Sequence, residues 1–334
     1  MTSRDAGPPK RYGRRSVLRW SVRILFLGLA ALLALGGPLP NLVRRVVPAT
    51  SPLLVVAGTI TGRAWYAGLF WGLPAVLVFA AAMFRGRFFC RWICPAGTLY
   101  SAVGRISLRK RLVRRPVNGI VFWAVVFGAA AGLPLLVATD PLSSFNRITP
   151  FFRGWGSVAA IVPGLLVPVF LILSVVQPAL WCSHFCPLGY AFDLLHLRRR
   201  KPLVKQSRTR RDIVTGLAVG VPLGLLGRRF GVLPGQKAGA SPVLPPGAKD
   251  AAQFAALCSR CYACVNACPT RVITVRMPVG RPLAEWFHPE LDTRSSYCEE
   301  FCTKCTRVCP AGAITSLDTH AKRHCKIGTA TVIR

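Results

Sequence analysis

The stretch from Cys258 to Pro310 constrains this chain more than any other. It reads C-S-R-C-Y-A-C-V-N-A-C-P and, after a spacer, C-E-E-F-C-T-K-C-T-R-V-C-P. Cys258, Cys261, Cys264 and Cys268 lead into Pro269, and Cys298, Cys302, Cys305 and Cys309 lead into Pro310. The first run is C-x2-C-x2-C-x3-C-P, and the second widens the first gap by one residue. Three closely spaced thiolates can take three irons of one cubane from a single tight loop. The fourth, held by the proline after it, points toward the other cluster. The spacing therefore predicts one [4Fe–4S] cluster on Cys258, Cys261, Cys264 and Cys309, and a second on Cys298, Cys302, Cys305 and Cys268. Paired C-x2-C also builds structural zinc sites, but two full runs that each close in Cys-Pro favour the cubanes. The chemistry indicated is electron transfer, with no substrate specified.

Composition sets the frame for the rest. Hydrophobic residues make up 52% of the 334 positions, which is high for an ordinary soluble chain and points to a membrane protein. A net charge of +33 would suggest nucleic acid in a soluble protein. Here the basic residues cluster beside apolar runs, as the positive-inside bias explains, and no nucleic-acid-reading motif accompanies them. No nucleic-acid partner is expected. Of thirteen cysteines, eight lie in the two runs, four form two further pairs, and Cys325 is left over. Metal ligation accounts for that odd total better than a disulfide framework.

In chain order, residues 1–20 form a basic cytoplasmic N-terminus. Residues 21–205 read as a four-span membrane module, with spans at Ser21–Pro40, Ala64–Phe84, Val117–Ala138 and Val158–Leu180. A cleaved signal peptide is the alternative for the first, but no small-residue cleavage site follows it. The loops rich in Arg and Lys, at 85–115 and 198–211, face the cytoplasm by the positive-inside rule, and the poor loop carrying Arg147 and Arg153 faces out. Residues 206–230 hold Thr209-Arg210-Arg211-Asp212-Ile213-Val214, which resembles a twin-arginine export signal, and a short apolar anchor. At ~1.5 Å per residue that anchor, Ile213 to Gly227, would reach only about 22 Å. Residues 231–250 are a Pro/Gly linker, and 251–334 a two-cluster domain whose insert, Met277 to Arg294, reads as an ordered surface loop. The fold expected is an α-helical membrane bundle of four to five spans with a two-fold internal repeat, plus a C-terminal α+β ferredoxin-like domain. The location expected is the bacterial inner membrane, with the C-terminal domain on the periplasmic side.

The internal repeat lies in the membrane module. Phe89-Cys90-Arg91-Trp92-Ile93-Cys94-Pro95-Ala96-Gly97 and Trp181-Cys182-Ser183-His184-Phe185-Cys186-Pro187-Leu188-Gly189 share the pattern aromatic-C-x3-C-P-x-G. Repeats in membrane proteins often place a functional site where the copies meet. Brought together, Cys90, Cys94, Cys182 and Cys186 could hold a further [4Fe–4S] cluster or act as redox thiols, and spacing alone does not decide between them. The alternative is inert thiols filling helix ends.

Other candidates carry less. Oxidation of a quinol must pass protons to a base, which nominates Asp140, His184 and Asp193, with His196 nearby in sequence. The plain reading of Asp140 is a turn residue before Pro141, and of Asp193 an interfacial helix residue. His320, His324 and Cys325 could be a metal group, though a solvated tail explains them as well. The chain has no C-x-x-C-H haem site and no G-x-G-x-x-G loop.

Taken together, these residues resemble a known family. The two C-x3-C-P exits resemble the membrane subunit of the periplasmic nitrate reductase quinol dehydrogenase and the membrane part of the nitrous oxide reductase regulators. The segment from Thr209 onward resembles the ferredoxin-type partner of that subunit and the methylamine-utilisation ferredoxin-type protein. It does so through Leu244-Pro245-Pro246-Gly247-Ala248, the first Cys run, and Tyr297-Cys298-Glu299-Glu300-Phe301-Cys302-Thr303 onward to Cys309-Pro310-Ala311-Gly312-Ala313-Ile314. The chain resembles a fusion of two proteins that are usually separate. The resemblance implies a module that takes electrons from membrane quinol and the quinone pool and hands them through [4Fe–4S] clusters to a periplasmic redox protein or metalloenzyme. An electron-supplying maturation factor and a thiol relay through the C-x3-C-P cysteines are the alternatives. Ferredoxin-type members carry further Cys runs after a segment like Lys326-Ile327-Gly328-Thr329-Ala330; the sequence here stops at Arg334, as a two-cluster variant or a truncated chain would.

Overall fold

The computed structural model describes residues 14–34, 45, 50–51, 53, 69–107, 117–131, 139–148, 161–196, 206–229, 242–276, 285–294 and 296–325. The first half is helical. Helices α1 (Arg14–Ala34), α2 (Leu69–Arg85), α3 (Phe88–Trp92), α4 (Pro95–Val103), α5 (Asn118–Ala130) and α6 (Pro141–Asn146) are followed by α7 (Leu166–Val176), α8 (Pro187–Leu195) and α9 (Gln206–Arg229).

These helices correct the expected membrane bundle. Among the described residues, no helix is long and apolar enough to cross a membrane. The reasons are local. Helix α1 starts at Arg14 instead of near Ser21, so Arg14, Arg15, Arg19 and Arg23 all fall within it. Helix α2 has 17 residues, α5 has 13 and α7 has 11. In front of α7, Pro163 sits in a 3₁₀ turn at Val162–Gly164, and the helix ends at Gln177, which is extended just before Pro178. Residues 35–40, 64–68, 132–138 and 158–160 of the expected spans lie outside the described residues, as does the linker at 231–241.

The Thr209–Val214 stretch is helical, with Arg210, Arg211 and Val214 exposed. It lies inside α9, and Asp212 is buried against Gly119 and Tyr190. Helix α9 packs along α5 through Gly216, Gly220 and Gly224, one turn apart. A Cβ at Gly220 would stand 2.6 Å from the Ala124 carbonyl oxygen, so only glycine allows this approach. Outer helix faces still expose apolar side chains, among them Leu25, Leu77, Ile172 and Val214.

The C-terminal unit is small and mixed. Helix α10 (Ala251–Leu257) starts at Asp250, whose carboxylate accepts from the Gln253 amide at 2.7 Å. Helix α11 (Ala263–Ala267) follows the first two cysteines and carries the third, Cys264. Strand β1 (Ile273–Val275) pairs antiparallel with β2 (Pro289–Leu291), placing Ile273 opposite Leu291 and Val275 opposite Pro289. The insert between the runs is thus more than a surface loop, because it supplies β2; its residues 277–284 lie outside the described residues. Helix α12 (Lys304–Val308) packs on α11, and α13 (Thr319–Arg323) closes the unit. Phe254, Val265, Ile273, Val275, Val308 and Ile314 form its core together with the cysteines.

Candidate metal centre

All thirteen cysteines are free thiols. In the C-terminal unit eight of them are gathered into two sets. Cys258, Cys261, Cys264 and Cys309 line one cavity of ≈ 320 Å³, counting the part open to solvent. Cys268, Cys298, Cys302 and Cys305 line a second of ≈ 310 Å³. Each cavity takes three thiols from one run and the last thiol of the other.

The crossing has a backbone cause. A residue before proline is pushed out of the helical region. Cys268 sits at φ −72°, ψ 117° and Cys309 at φ −69°, ψ 111°, so each ends its short helix and turns its side chain away from its own run. The first run wraps its cavity with Arg260 and Tyr262 in the left-handed region, at φ 54° and 58°. For residues with a Cβ this conformation costs about 1–3 kcal/mol each, and it persists only where surroundings enforce it.

Burial pushes the Cys258 thiol up to about 12, while the Arg260 guanidinium and amide pull it back. Burial likewise raises Cys261 to about 11 and Cys305 to about 12. Cys298 is raised less, because Lys322 opposes the desolvation. Ordinary thiols would stay protonated here, so ionising them requires a cationic centre in the cavity. Among the described residues, no group of three His, Cys, Asp or Glu side chains is placed to hold a single metal ion. A lone ion draws its sulfurs to ~2.3 Å, whereas a cubane needs its four thiolates spread around a space of its own size. The apolar, cysteine-lined cavities fit that donor set.

The helical half repeats the theme. Cys94 and Cys186 pack into one apolar cluster with Phe89, Tyr100, Trp181 and Phe192, and Cys90 and Cys182 lie against it. The two exits are built alike. The Cys94 amide donates to the Phe89 carbonyl at 3.0 Å, and the Cys186 amide to the Trp181 carbonyl at 2.8 Å, both five residues back. Such π-type turns often mark functional sites. Cys94 (ψ 115°) and Cys186 (ψ 113°) then cap α4 and α8, with proline at the first helical position. The Gly97 amide donates to Cys94 Sγ at 3.4 Å. Gly97 also leaves room for the turn before it, since a Cβ there would stand 3.0 Å from the Cys90 carbonyl oxygen. That is the physical content of the C-P-x-G pattern.

Arg87 ties the two exits together. Its Nε donates to Asp193 Oδ1 at 2.8 Å, its Nη2 pairs with Asp193 Oδ2, and its Nη1 reaches the Cys182 carbonyl at 3.5 Å. Asp193 is thus half of a two-pronged ion pair. Asp140 is fully buried, accepting from Ser51 Oγ and from the Ser143 amide at 2.9 Å as it caps α6. His184 Nδ1 lies 2.7 Å from Ser183 Oγ, and His196 Nδ1 lies 3.3 Å from the Met83 carbonyl. His320 and His324 face each other at 5.0 Å on the exposed α13 end, and with Cys325 they form no metal-holding group.

The structure brings three cations to the cysteine loops. Arg87, Arg147 and Lys322 each donate to carbonyls within or beside a Cys motif. Nothing in their spacing marks them; the signal that could have prompted attention is Arg147 standing in a stretch poor in other charges.

The donor set and the cavities define an iron–sulfur protein. Residues 67–116 and 159–205 match a family described as a 4Fe-4S binding domain, and residues 257–313 match a 4Fe-4S dicluster domain. The chain is related to the ferredoxin-type proteins of the NapH and MauN kind, a class of iron–sulfur electron-transfer proteins. It is 27% identical over 205 residues to the methylamine utilization ferredoxin-type protein MauN of Methylobacillus flagellatus, covering 58% of this chain and 71% of that one. Ferredoxin-type protein NapH of Haemophilus influenzae is 23% identical over 161 residues, 46% of this chain and 54% of its own. Ferredoxin-type protein NapG of Escherichia coli is 36% identical over 122 residues, 35% of this chain and 49% of its own. No solved structure matches the chain.

Proposed function

We propose that the chain takes electrons from a quinol and passes them through [4Fe–4S] clusters to a periplasmic redox partner. Two clusters sit in the C-terminal unit, on Cys258, Cys261, Cys264 and Cys309 and on Cys298, Cys302, Cys305 and Cys268. The reading rests above all on the two cavities, each lined by three thiols of one run and the closing thiol of the other. A third cluster on Cys90, Cys94, Cys182 and Cys186 is part of the proposal. It is supported by the two alike exits, in which Cys94 and Cys186 each stand in extended backbone just before a helix that starts at proline, and by the 4Fe-4S binding description of both halves of the repeat. NapH and NapG, each similar to this chain, are both named ferredoxin-type proteins, which supports a role in a chain of redox partners.

The test is anaerobic EPR on the full-length purified protein before and after addition of menaquinol or ubiquinol. Growth of [4Fe–4S]⁺ signals on quinol addition is the expected result. Clusters that reduce with dithionite but ignore both quinols would remove the quinol from the proposal. An unchanged iron content in Cys94→Ser would remove the third cluster and leave those four cysteines as thiols.

A further inference from the structure

The two cysteine runs of the C-terminal unit are each held by a buried cation that donates to carbonyls between the cysteines. For the second run the cation is local. Lys322, 3% exposed on α13, donates to the Cys302 carbonyl at 2.6 Å and to the Glu299 carbonyl. For the first run Arg260 itself reaches the Cys258 carbonyl at 3.5 Å, and a second buried cation comes from the helical half. Arg147, 1% exposed and just past α6, donates from Nε to the Arg260 carbonyl at 2.8 Å and from Nη2 to the Ser259 carbonyl at 3.3 Å. Its guanidinium also stands 5.8 Å from the Tyr262 ring centroid. One residue earlier, the Asn146 carbonyl accepts from Asn266 Nδ2 at 3.3 Å. The two halves of the chain are therefore joined at the loop that wraps the first cavity.

We infer that Arg147 is a positioning residue that seats the first cluster loop against the helical half and sets that cluster's reduction potential. The inference rests on the two-cluster reading above. Three physical points carry it. The carbonyls it grips belong to the segment with left-handed Arg260 and Tyr262, a conformation that needs outside support. A planar guanidinium can hold two carbonyls at once, which an ammonium does with less definition. A buried positive charge beside a cavity that gains an electron favours the reduced state, and low local polarity enlarges the effect. Lys322 plays the same part for the second cavity from within the unit, so each cation should act on its own cluster.

The experiment is an EPR-monitored redox titration with dithionite of the full-length protein and of Arg147→Met, Arg147→Lys and Lys322→Met. Arg147→Met should lower the reduced-to-oxidised ratio of the first cluster about tenfold at a fixed potential, equal to ~59 mV for one electron, with the second cluster unmoved. Lys322→Met should do the reverse. Arg147→Lys keeps the charge and so should stay within about twofold of wild type, while chelator strips iron from the first site faster. This variant keeps the test open if Arg147→Met does not fold. Identical titrations of wild type and Arg147→Met, or an equal shift of both clusters, would overturn the inference alone. A wild-type protein with neither signal would overturn the two-cluster reading, and this inference with it.

Discussion

The two cavities of the C-terminal unit are built on one plan and set in different surroundings. The thiols of the first, Cys258, Cys261, Cys264 and Cys309, are all buried, and the cavity is walled by Phe254, Tyr262 and Ile314. In the second, Cys268, Cys298 and Cys302 are half-buried, and Tyr297 and Phe301 beside it are 69% and 57% exposed. The first is gripped by Arg147 from another part of the chain, the second by Lys322 from its own. The difference teaches that near-identical ligand spacing leaves the environment open. Solvent exposure and nearby charge are among the factors that tune an iron–sulfur potential, and both differ between these two sites.

The largest effect that would test this comparison comes from removing a ligand on each side. Cys261→Ser should abolish the first cluster and also unfold much of the unit, because that cavity is part of the core. Cys302→Ser should abolish only the second cluster, leaving the first and the fold in place. Iron content and far-UV circular dichroism read both. Equal loss of structure in the two variants would break the contrast between an enclosed site and a surface one.

A smaller effect is expected at Gly247, which has φ +90° and whose added Cβ would stand 2.5 Å from the Thr315 carbonyl oxygen. Thr315 donates its amide back to the Gly247 carbonyl at 2.9 Å, closing the chain beside Ile314 of the first cavity. Gly247→Ala should destabilise the unit by about 1–3 kcal/mol, seen as a lower Tm. Cluster loss on heating should begin at the first site. Loss beginning at the second would show that Gly247 does not support the enclosed cavity.

An effect of similar size concerns Lys322. Replacing it by Met removes two charge-assisted hydrogen bonds that close the second run. A stability loss of about 2 kcal/mol is expected, together with faster loss of the second cluster in air. Unchanged air sensitivity would mean that exposure alone, without the lysine, governs the weaker site.

Legibility varied along the chain for physical reasons. The grouping of the eight ferredoxin-type cysteines could be anticipated because Cys-Pro geometry is local. Proline forces Cys268 and Cys309 into the extended region whatever surrounds them. The likeness of the two C-x3-C-P exits was legible for the same reason, down to a glycine at the third helical position of both α4 and α8. The spans were misread. Hydropathy averages over a window, but helix ends are decided by single residues. Pro163 and Pro178 cut α7 to 11 residues, and α1 begins early enough to include four arginines. Asp140 reads in the sequence as a turn residue before Pro141 and in the structure caps the helix that begins there, whereas Asp193, an interfacial helix residue in the sequence, pairs with Arg87, 106 positions away.

What the sequence determined by itself was which thiols stand together, three of one run with the closing thiol of the other, and the likeness of the two C-x3-C-P exits. These depend on spacings of a few residues, where bond geometry leaves little freedom. What only the tertiary structure decided was which charges stand over which cysteines, and that the first run is held from outside its own unit. Arg147 and Ser259 lie 112 positions apart. No local pattern can encode a contact of that range, because it exists only once burial has brought two surfaces together and left their carbonyls in need of a donor.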